Sequence, residues 1–154
     1  MSEDIQSTFE NTNIESVNIP VSCYSKKNEN IKKSYQHLSD VLSLGNIEFF
    51  TVTVLVGKLV VKKRKEFDCS SEQFFKMTKK NISKDEMTIL KAIAVDEVDN
   101  PLILKDEKAM RSIWQEYSYS GFLKLYAWYE DGKENLEEKL RLCMEKFFES
   151  NLIE

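Results

Sequence analysis

The stretch Ile89–Gly121 constrains the fold more than any other part of this chain. It reads ILKAIAVDEVDNPLILKDEKAMRSIWQEYSYSG, with two amphipathic segments on either side of an Asp-Asn-Pro break. Before the break, the apolar residues recur at helical spacing, namely Met87, Leu90, Ile93 and Ala94. Ser83 and Glu86 match a capping box, in which each residue binds the backbone of the other, so we expect a helix from Ser83 to the break.

The segment after the break predicts a second helix. Residues 102–104 are expected to form a brief extended link, and Asp106 is expected to cap the helix. Its inner stripe comprises Met110, Ile113, Trp114 and Tyr117. Gly121 is expected to interrupt the helix, which resumes from Phe122 to Tyr129. After a turn at 131–132, a final helix is predicted with Leu136, Leu140, Cys143, Met144 and Phe147 on one face.

The first half of the chain is less regular. Alternation over 17–21 predicts a short strand, which Pro20 restricts to an edge or an end because proline lacks an N–H. Helical spacing of apolar residues predicts a helix over about 29–44, with Gly45 as its C-terminal cap. Residues 47–61 (IEFFTVTVLVGKLVV) are apolar almost throughout, and periodicity alone leaves both a strand and a buried helix open.

The fold class follows from these elements and from composition. The 154 residues suit one domain. The 4 Gly and 2 Pro are too few for the tight turns of an all-β sandwich. Residues 1–16 are acidic and polar with few apolar side chains, which predicts a disordered, flexible tail. We therefore expect a mainly α, compact helical domain of about five to six helices over 17–150, with a short N-terminal strand.

Charge and cysteine usage limit the classes of function. A net charge of −4 and a pI near 5.3 argue against a dedicated nucleic-acid binder. No apolar run is long enough for a membrane span, and the N-terminus lacks the basic and apolar regions of a secretory signal. The cysteines are odd in number and far apart, at Cys23, Cys69 and Cys143, which excludes the usual zinc spacings and a disulfide framework. A reduced, cytoplasmic protein without a metal is expected.

No set of residues has the spacing of a catalytic site. His37 is the only histidine and has no orienting acid or cysteine nearby, so we interpret it as a surface or packing residue. Asp96 and Glu97 are interpreted as a solvated helix end. Gly57-Lys58 resembles the end of a phosphate loop, but Val52 stands where the first glycine is needed and Leu59 replaces Ser or Thr. The sequence therefore predicts no enzyme and no cofactor.

Two groups of residues are candidates for binding. The basic cluster comprises Lys62, Lys63, Arg64 and Lys65, and it is predicted to contact DNA phosphates if it is more than a solvated loop. The aromatic run from Trp114 to Tyr129 is denser than one core requires. Because Trp and Tyr are enriched at protein interfaces, contact with a protein partner is predicted for Tyr119, Trp128 and Tyr129.

The run Ile89–Asn100 followed by Leu102–Leu125 resembles the small accessory proteins associated with DNA phosphorothioation (Dnd) systems, the family described as their fourth associated protein. Gln115-Glu116-Tyr117 and Ser118–Gly121 occupy the family's Glu-Glu-Tyr-Ala-Asn-Gly-Gly positions, and Phe50–Lys65 is similar to its apolar helix followed by Gly and basic residues. The resemblance spans Phe49 to about Phe147 and favours a helix for 47–61. It implies a bacterial cytoplasmic protein that acts against phage beside DNA-modification and restriction genes, with no catalytic residue.

The expected function is that of a non-enzymatic accessory subunit in an antiphage or DNA modification–restriction complex. Its expected partner is a larger ATPase, nuclease or scaffold protein, with DNA contacted only inside the complex; homo-oligomerisation stays open. The alternative is a DNA-binding regulator of ribbon–helix–helix type, because strand 17–21, helix 29–44 and a second apolar helix follow in the order of that motif. Its ribbon would present Asn18, Pro20 and Ser22, none of them basic. An enzyme assembled from dispersed residues is the third class.

Overall fold

The computed structural model describes residues 17–19, 31–66, 72–75 and 82–152. Its helices are α1 (Ile31–Val41), α2 (Asn46–Val56), a π-helix (Gly57–Val61), α3 (Lys84–Val98), a 3-10 helix (Pro101–Lys105), α4 (Glu107–Glu130) and α5 (Lys133–Leu152). Strands β1 (Val17–Ile19) and β2 (Glu72–Phe75) pair antiparallel, with Asn18 opposite Gln73 and an irregularity between Val17 and Asn18. The predicted tail 1–16, Pro20, Ser22, Cys23 and Cys69 lie outside these ranges.

The predicted fold class is confirmed as a compact helical domain with five α-helices in the described ranges. Segment 47–61 is helical throughout, first α and then π. Periodicity could not distinguish strand from helix here because α2 is apolar around its whole circumference. Its buried residues point in several directions and include Phe49, Phe50, Thr51, Thr53, Val54 and Val56. A helix that is apolar all round is typical of a position enclosed by other elements.

The beginnings of α3 and α4 confirm their predicted caps. Ser83 Oγ accepts a hydrogen bond from the Glu86 backbone N–H at 3.1 Å, and Glu86 Oε1 accepts from the Ser83 N–H at 3.2 Å. Asp106 Oδ1 accepts from the Ala109 N–H at 3.0 Å. Each cap satisfies backbone donors that a first helical turn leaves without a partner.

The predicted interruption at Gly121 is wrong, because α4 continues without a break through 24 residues. Gly121 serves packing instead. A Cβ at Gly121 would lie 1.8 Å from the Thr53 carbonyl oxygen, and one at Gly57 would lie 2.0 Å from the Tyr117 carbonyl oxygen. These two glycines therefore permit the backbones of α4 and of the helix formed by α2 and the π-helix to touch.

Two smaller predictions are also wrong. The α1 helix ends through Ser43, which has a φ of 56°, and not through Gly45. The Ser43 N–H donates to the Asp40 carbonyl and the Leu44 N–H to the Ser39 carbonyl, which is the hydrogen-bond pattern of a Schellman cap. The expected extended link at 102–104 is part of the 3-10 helix, whose first residue, Pro101, has a φ suited to a helix start.

Helices α2 and α4 make the most extensive contact in the molecule and divide the core into two clusters. The first lies towards α3 and includes Phe50, Val54, Leu90, Ile93, Met110, Ile113 and Trp114. The second lies towards α1 and α5 and includes Tyr35, Leu38, Phe49, Val56, Phe122, Leu125 and Leu136. The predicted inner stripe of α4 is confirmed, since all four of its residues are buried.

A buried hydroxyl cluster joins α1, α2 and α4. Tyr35 Oη lies 2.7 Å from Thr53 Oγ1 and 2.5 Å from Ser118 Oγ, and the latter two oxygens are 2.7 Å apart. Burial raises the pKa of Tyr35 far above its ordinary value, although both hydrogen bonds act in the opposite direction. The phenol therefore stays neutral and fixes α1 against the α2–α4 contact.

Among the described residues, no single helix has both the length and the apolar composition to cross a membrane. Lys33–Val41 and Asn46–Val61 meet those criteria only when they are counted together, and they are bent by 95° relative to each other.

Candidate functional site

An apolar groove opens between the α1–α2 connection, the α2/π-helix segment and α5. Its volume is about 200 Å³, and its wall consists of Leu42, Leu44, Val52, Leu55, Val56, Leu59, Val60, Leu140, Cys143 and Met144. Every lining side chain is aliphatic or sulfur-containing. A carbon-rich lining of this kind binds apolar groups by excluding water, and the Cys143 thiol is the one reactive group among the lining residues.

The groove exists because these helices carry more apolar residues than the two core clusters use. Leu59 and Met144 line the groove but belong to neither cluster, and Met144 is 39% exposed. Leu136 and Met144 were both predicted on the inner face of the last helix; Leu136 is fully buried there, whereas Met144 lies on the groove wall. Cys143 is a free, half-buried thiol on the same wall.

A network of charged side chains lies where the π-helix meets α3 and α4. Lys58 Nζ lies 2.8 Å from Asp96 Oδ2 and 3.3 Å from Glu97 Oε2. The Tyr117 hydroxyl donates a short hydrogen bond to Glu97 Oε2, and Lys58 Nζ lies 5.5 Å from the centre of the Tyr117 ring. The interpretation of Glu97 as a solvated helix end is therefore wrong, because its carboxylate is mostly buried among these partners.

The pKa values in this network shift as ion pairing requires. Burial alone would raise the pKa of Glu97, but the hydrogen bonds from Tyr117 and Lys58 outweigh burial and hold that pKa below 4.5. Burial alone would lower the pKa of Lys58, but hydrogen bonds to Asp96 and Glu97 raise it above 10.5. Burial and the bond to Glu97 raise the pKa of Tyr117. All three groups are held in their ordinary protonation states near neutral pH, which suits a structural clasp better than proton transfer.

The four residues of the predicted basic cluster have unlike surroundings. Arg64 is paired with acids, since its Nε lies 3.0 Å from Glu116 Oε1 and its Nη1 lies 3.9 Å from Glu97 Oε1. Lys65 Nζ lies 5.5 Å from the centre of the Tyr119 ring, and the Lys65 backbone N–H donates to the Glu116 carbonyl at 3.2 Å.

Lys62 and Lys63 are exposed, directly after the π-helix, and neither forms an ion pair with a described residue. Lys62 has a left-handed φ of 60°, and its N–H donates to the Gly57 carbonyl, which ends the π-helix. The basic cluster therefore contains one anchored arginine, one lysine packed on an aromatic ring, and two exposed cations.

The three aromatic residues predicted to contact a partner lie in or beside the second core cluster. Tyr119 and Trp128 are 7% and 9% exposed, and burial raises the pKa of Tyr119. The ammonium groups of Lys124 and Lys139 lie 5.8 and 5.7 Å from the centre of the Trp128 ring and cover its outer side. These contacts leave little surface of either side chain exposed.

Tyr129 is half-buried, and its hydroxyl lies 2.9 Å from Nε2 of His37, with the two rings packed edge to face. This pair joins α1 to the end of α4. His37 is exposed and packs on Tyr129, and no acid or thiol of the described residues is hydrogen-bonded to its ring.

Sequence reasoning missed the groove, the ionic network and one buried lysine. Lys91 is fully buried in α3 beside Leu90. Its sequence position gives no signal, because a lysine next to an apolar stripe is ordinarily solvated. The groove did leave a signal in Leu59, an apolar residue that packs in neither core cluster.

Among the described residues, no three His, Cys, Asp or Glu side chains converge closely enough to hold a metal ion. Comparison of the chain with protein families, curated proteins and solved structures finds no match.

Proposed function

We propose that this chain is a non-enzymatic interaction subunit of a bacterial, cytoplasmic antiphage or DNA modification–restriction complex. The setting comes from the resemblance to the Dnd-associated accessory proteins. The observation that supports an interaction role is the open apolar groove, which lies beside the second core cluster and is lined only by apolar and sulfur-containing side chains. Its partner is a larger ATPase, nuclease or scaffold protein.

A helix of the partner is the element that fits this groove. The α2/π-helix segment and α5 form two walls of the groove. Amphipathic helices commonly bind in apolar grooves between helices through residues at i, i+3, i+4 and i+7. A volume of about 200 Å³ accommodates a small number of apolar side chains. For comparison, a cavity of about 150 Å³ is large enough for benzene.

The aromatic residues support this role indirectly. Because Tyr119 and Trp128 are buried and Tyr129 bonds to His37, their side chains stabilise the walls on which the groove is built. Substitution of Trp128 is therefore expected to report on folding before it reports on docking. The contact residues of the proposed interface are Leu59 and Met144, which line the groove without packing into either core cluster.

DNA is less well supported as a direct ligand. Arg64 is neutralised by Glu97 and Glu116, and the net charge of −4 disfavours the approach of a polyanion to the isolated chain. The ribbon–helix–helix alternative gains no support either, because β1 pairs with β2 of the same chain. The proposed function therefore rests on a protein partner.

The test is co-expression of the chain with the products of its flanking genes, followed by affinity purification and size-exclusion chromatography. The proposal predicts a stable complex with one larger protein encoded beside it. A chain that elutes alone after co-expression with every neighbouring gene product would overturn the proposal.

A further inference from the structure

We infer that the ionic network fixes the shape of the apolar groove, with Lys58 as a positioning residue that holds the groove wall in place through the π-helix. The inference rests on the proposed function for the occupant of the groove, a helix of the partner protein. It concerns what sets the affinity of that site, namely contacts that lie outside the groove lining.

The π-helix contributes to the ionic network and to the groove at neighbouring positions. Lys58 Nζ lies 2.8 Å from Asp96 Oδ2 and 3.3 Å from Glu97 Oε2, both on α3. The next two residues, Leu59 and Val60, line the groove. Successive side chains of a helix point in different directions, so this short element contacts α3 through one residue and borders the groove with the following two. A shift of the π-helix away from α3 therefore moves the groove wall.

Tertiary contacts support the geometry of the π-helix. Helices of this kind are rare and occur mostly as single turns, often at functional sites. This one is closed by a hydrogen bond of 2.8 Å from the Lys62 N–H to the Gly57 carbonyl, and Gly57 packs directly on the α4 backbone. Leu59 belongs to neither core cluster, so core packing does not hold it. The ion pairs of the preceding residue, Lys58, therefore restrain this part of the element.

The ion pair beside the opposite wall differs in what it connects. Arg141 Nη1 lies 2.7 Å from Glu145 Oε1, and Glu145 follows the lining residue Met144. These two charges are one helical turn apart on α5, so their pair does not place α5 relative to another element. Lys58 and Glu97, by contrast, are 39 residues apart in sequence, so their pair fixes the π-helix against α3.

A groove wall that is already held in place binds its occupant more tightly, because less order has to be imposed on binding. The Lys58 and Glu97 side chains are only 19% and 23% exposed, and salt screens such partly buried pairs less than pairs at the surface. Coupling of this kind is reciprocal, so an occupied groove in turn stabilises the ionic network. Loss of the network should loosen the wall and weaken binding, although every lining residue is unchanged.

The Cys143 thiol reports on the groove wall without any partner, because it is free and lines the groove. A Cys23→Ser/Cys69→Ser chain retains it as the single thiol, since the sequence has 3 cysteines. The experiment follows its rate of reaction with N-ethylmaleimide, an uncharged reagent, by mass spectrometry at neutral pH. In this background, Lys58→Met should raise the rate about five-fold, the lower end of typical coupling between sites.

Glu97→Gln is the second variant, which weakens the same ion pair from the side of α3 and should also raise the rate. The two substitutions remove charges of opposite sign. An altered electric field at the thiol would therefore make one variant faster and the other slower, whereas a loosened wall makes both faster. The double variant should react about as fast as the faster single variant, because both substitutions remove one shared interaction. If Lys58→Met does not unfold cooperatively, Glu97→Gln alone decides the result.

Ser83→Ala is the matched control for lost stability. It removes the cap at the other end of α3, about 20 Å from Glu97, and its cost is similar to that of one partly exposed ion pair. Because it leaves the π-helix unchanged, its rate should stay within about two-fold of that of the background chain.

The outcomes separate this inference from the proposed function. If Lys58→Met and Glu97→Gln leave the thiol rate within about two-fold of the background chain, or if Ser83→Ala raises it equally, the inference is wrong. A co-purified partner that binds Lys58→Met as tightly as the wild type would also overturn it, while the docking proposal stands. Faster thiol reaction in a chain that binds no partner would overturn the docking proposal and support the positioning role of Lys58.

Discussion

At the scale of single residues, the least tolerant positions are the two glycines at the α2–α4 contact. No side chain fits at either, because the space that a Cβ needs is filled by a backbone carbonyl of the facing helix. Backbone atoms cannot move aside as a flexible side chain can. The sequence suggested that Gly121 weakens a helix, whereas the structure uses it to join two helices.

Gly121→Ala is therefore expected to lower the free energy of unfolding by about 3 kcal/mol or more, the upper range for overpacking. Urea denaturation measures the effect. Gly45→Ala is the matched control, because its new Cβ would meet only Glu48 Oε1 at 3.4 Å and its φ is −70°. Its cost should stay below about 1 kcal/mol. Equal losses in the two variants would contradict the close approach of α2 and α4.

The basic cluster leads to a second prediction at the scale of single residues. Arg64→Ser removes contacts with Glu97 and Glu116 and should cost about 1 kcal/mol of unfolding free energy. Lys62→Ser/Lys63→Ser removes exposed charges only and should change stability by less than about 0.5 kcal/mol. Thermal or urea unfolding measures the loss of unfolding free energy in each of the two variants. A larger loss in the lysine variant would show that these lysines are structural.

At the scale of elements, the ionic network attaches the π-helix to α3 and α4. Its interactions hold the pKa of Glu97 below 4.5, so they stabilise the folded chain above that pH and are lost as pH falls through the lowered pKa. Lys58 has a pKa raised above 10.5, so its contribution is complete below pH 10.5 and is lost as pH rises through the raised pKa. Both contributions are complete between pH 4.5 and 10.5.

Glu97→Gln should consequently lower the free energy of unfolding by about 1 kcal/mol at pH 7, and its difference from the wild type should shrink below pH 4.5. The measurement is urea denaturation across a pH series. Glu137→Gln, which changes an exposed carboxylate on α5, is the matched control and should follow the wild type at every pH. A Glu97→Gln difference that persists unchanged in acid would contradict the ion-paired state.

Much of the secondary structure could be predicted from the sequence, because local signals and tertiary packing favour the same helices. Ser83, Glu86 and Asp106 form their caps within a few residues of sequence, and the inner stripe of α4 follows its helical period. The sequence-based predictions fail where tertiary contacts, and not local sequence, determine the structure. Gly121 stays helical because Thr53 faces it, and Glu97 is buried because Lys58 and Tyr117 approach from other elements. Neither of these tertiary contacts leaves a pattern in the local sequence.

At the scale of the whole molecule, the described residues form a compact helical domain with two core clusters and an apolar groove beside the second of them. The sequence predicted interaction through aromatic residues, but the structure uses Tyr119 and Trp128 mainly in its core. The groove depends on how α5 lies against α2 and the π-helix, which periodicity along one helix does not describe. The central claim is that this groove docks a helix of a larger protein.

The most direct test measures the affinity of that protein, once co-purified, for three forms of the chain by surface plasmon resonance. Leu59→Glu/Met144→Glu places two charges on the groove wall, and Leu142→Glu, at a 42% exposed site two residues from Met144, adds a charge that is not on the groove wall. All three forms must first show the same helical circular dichroism and cooperative unfolding. The account predicts that the groove variant loses at least about 100-fold in affinity, as expected for buried charges at an apolar interface, while Leu142→Glu binds like the wild type. Equal binding by all three forms would contradict it.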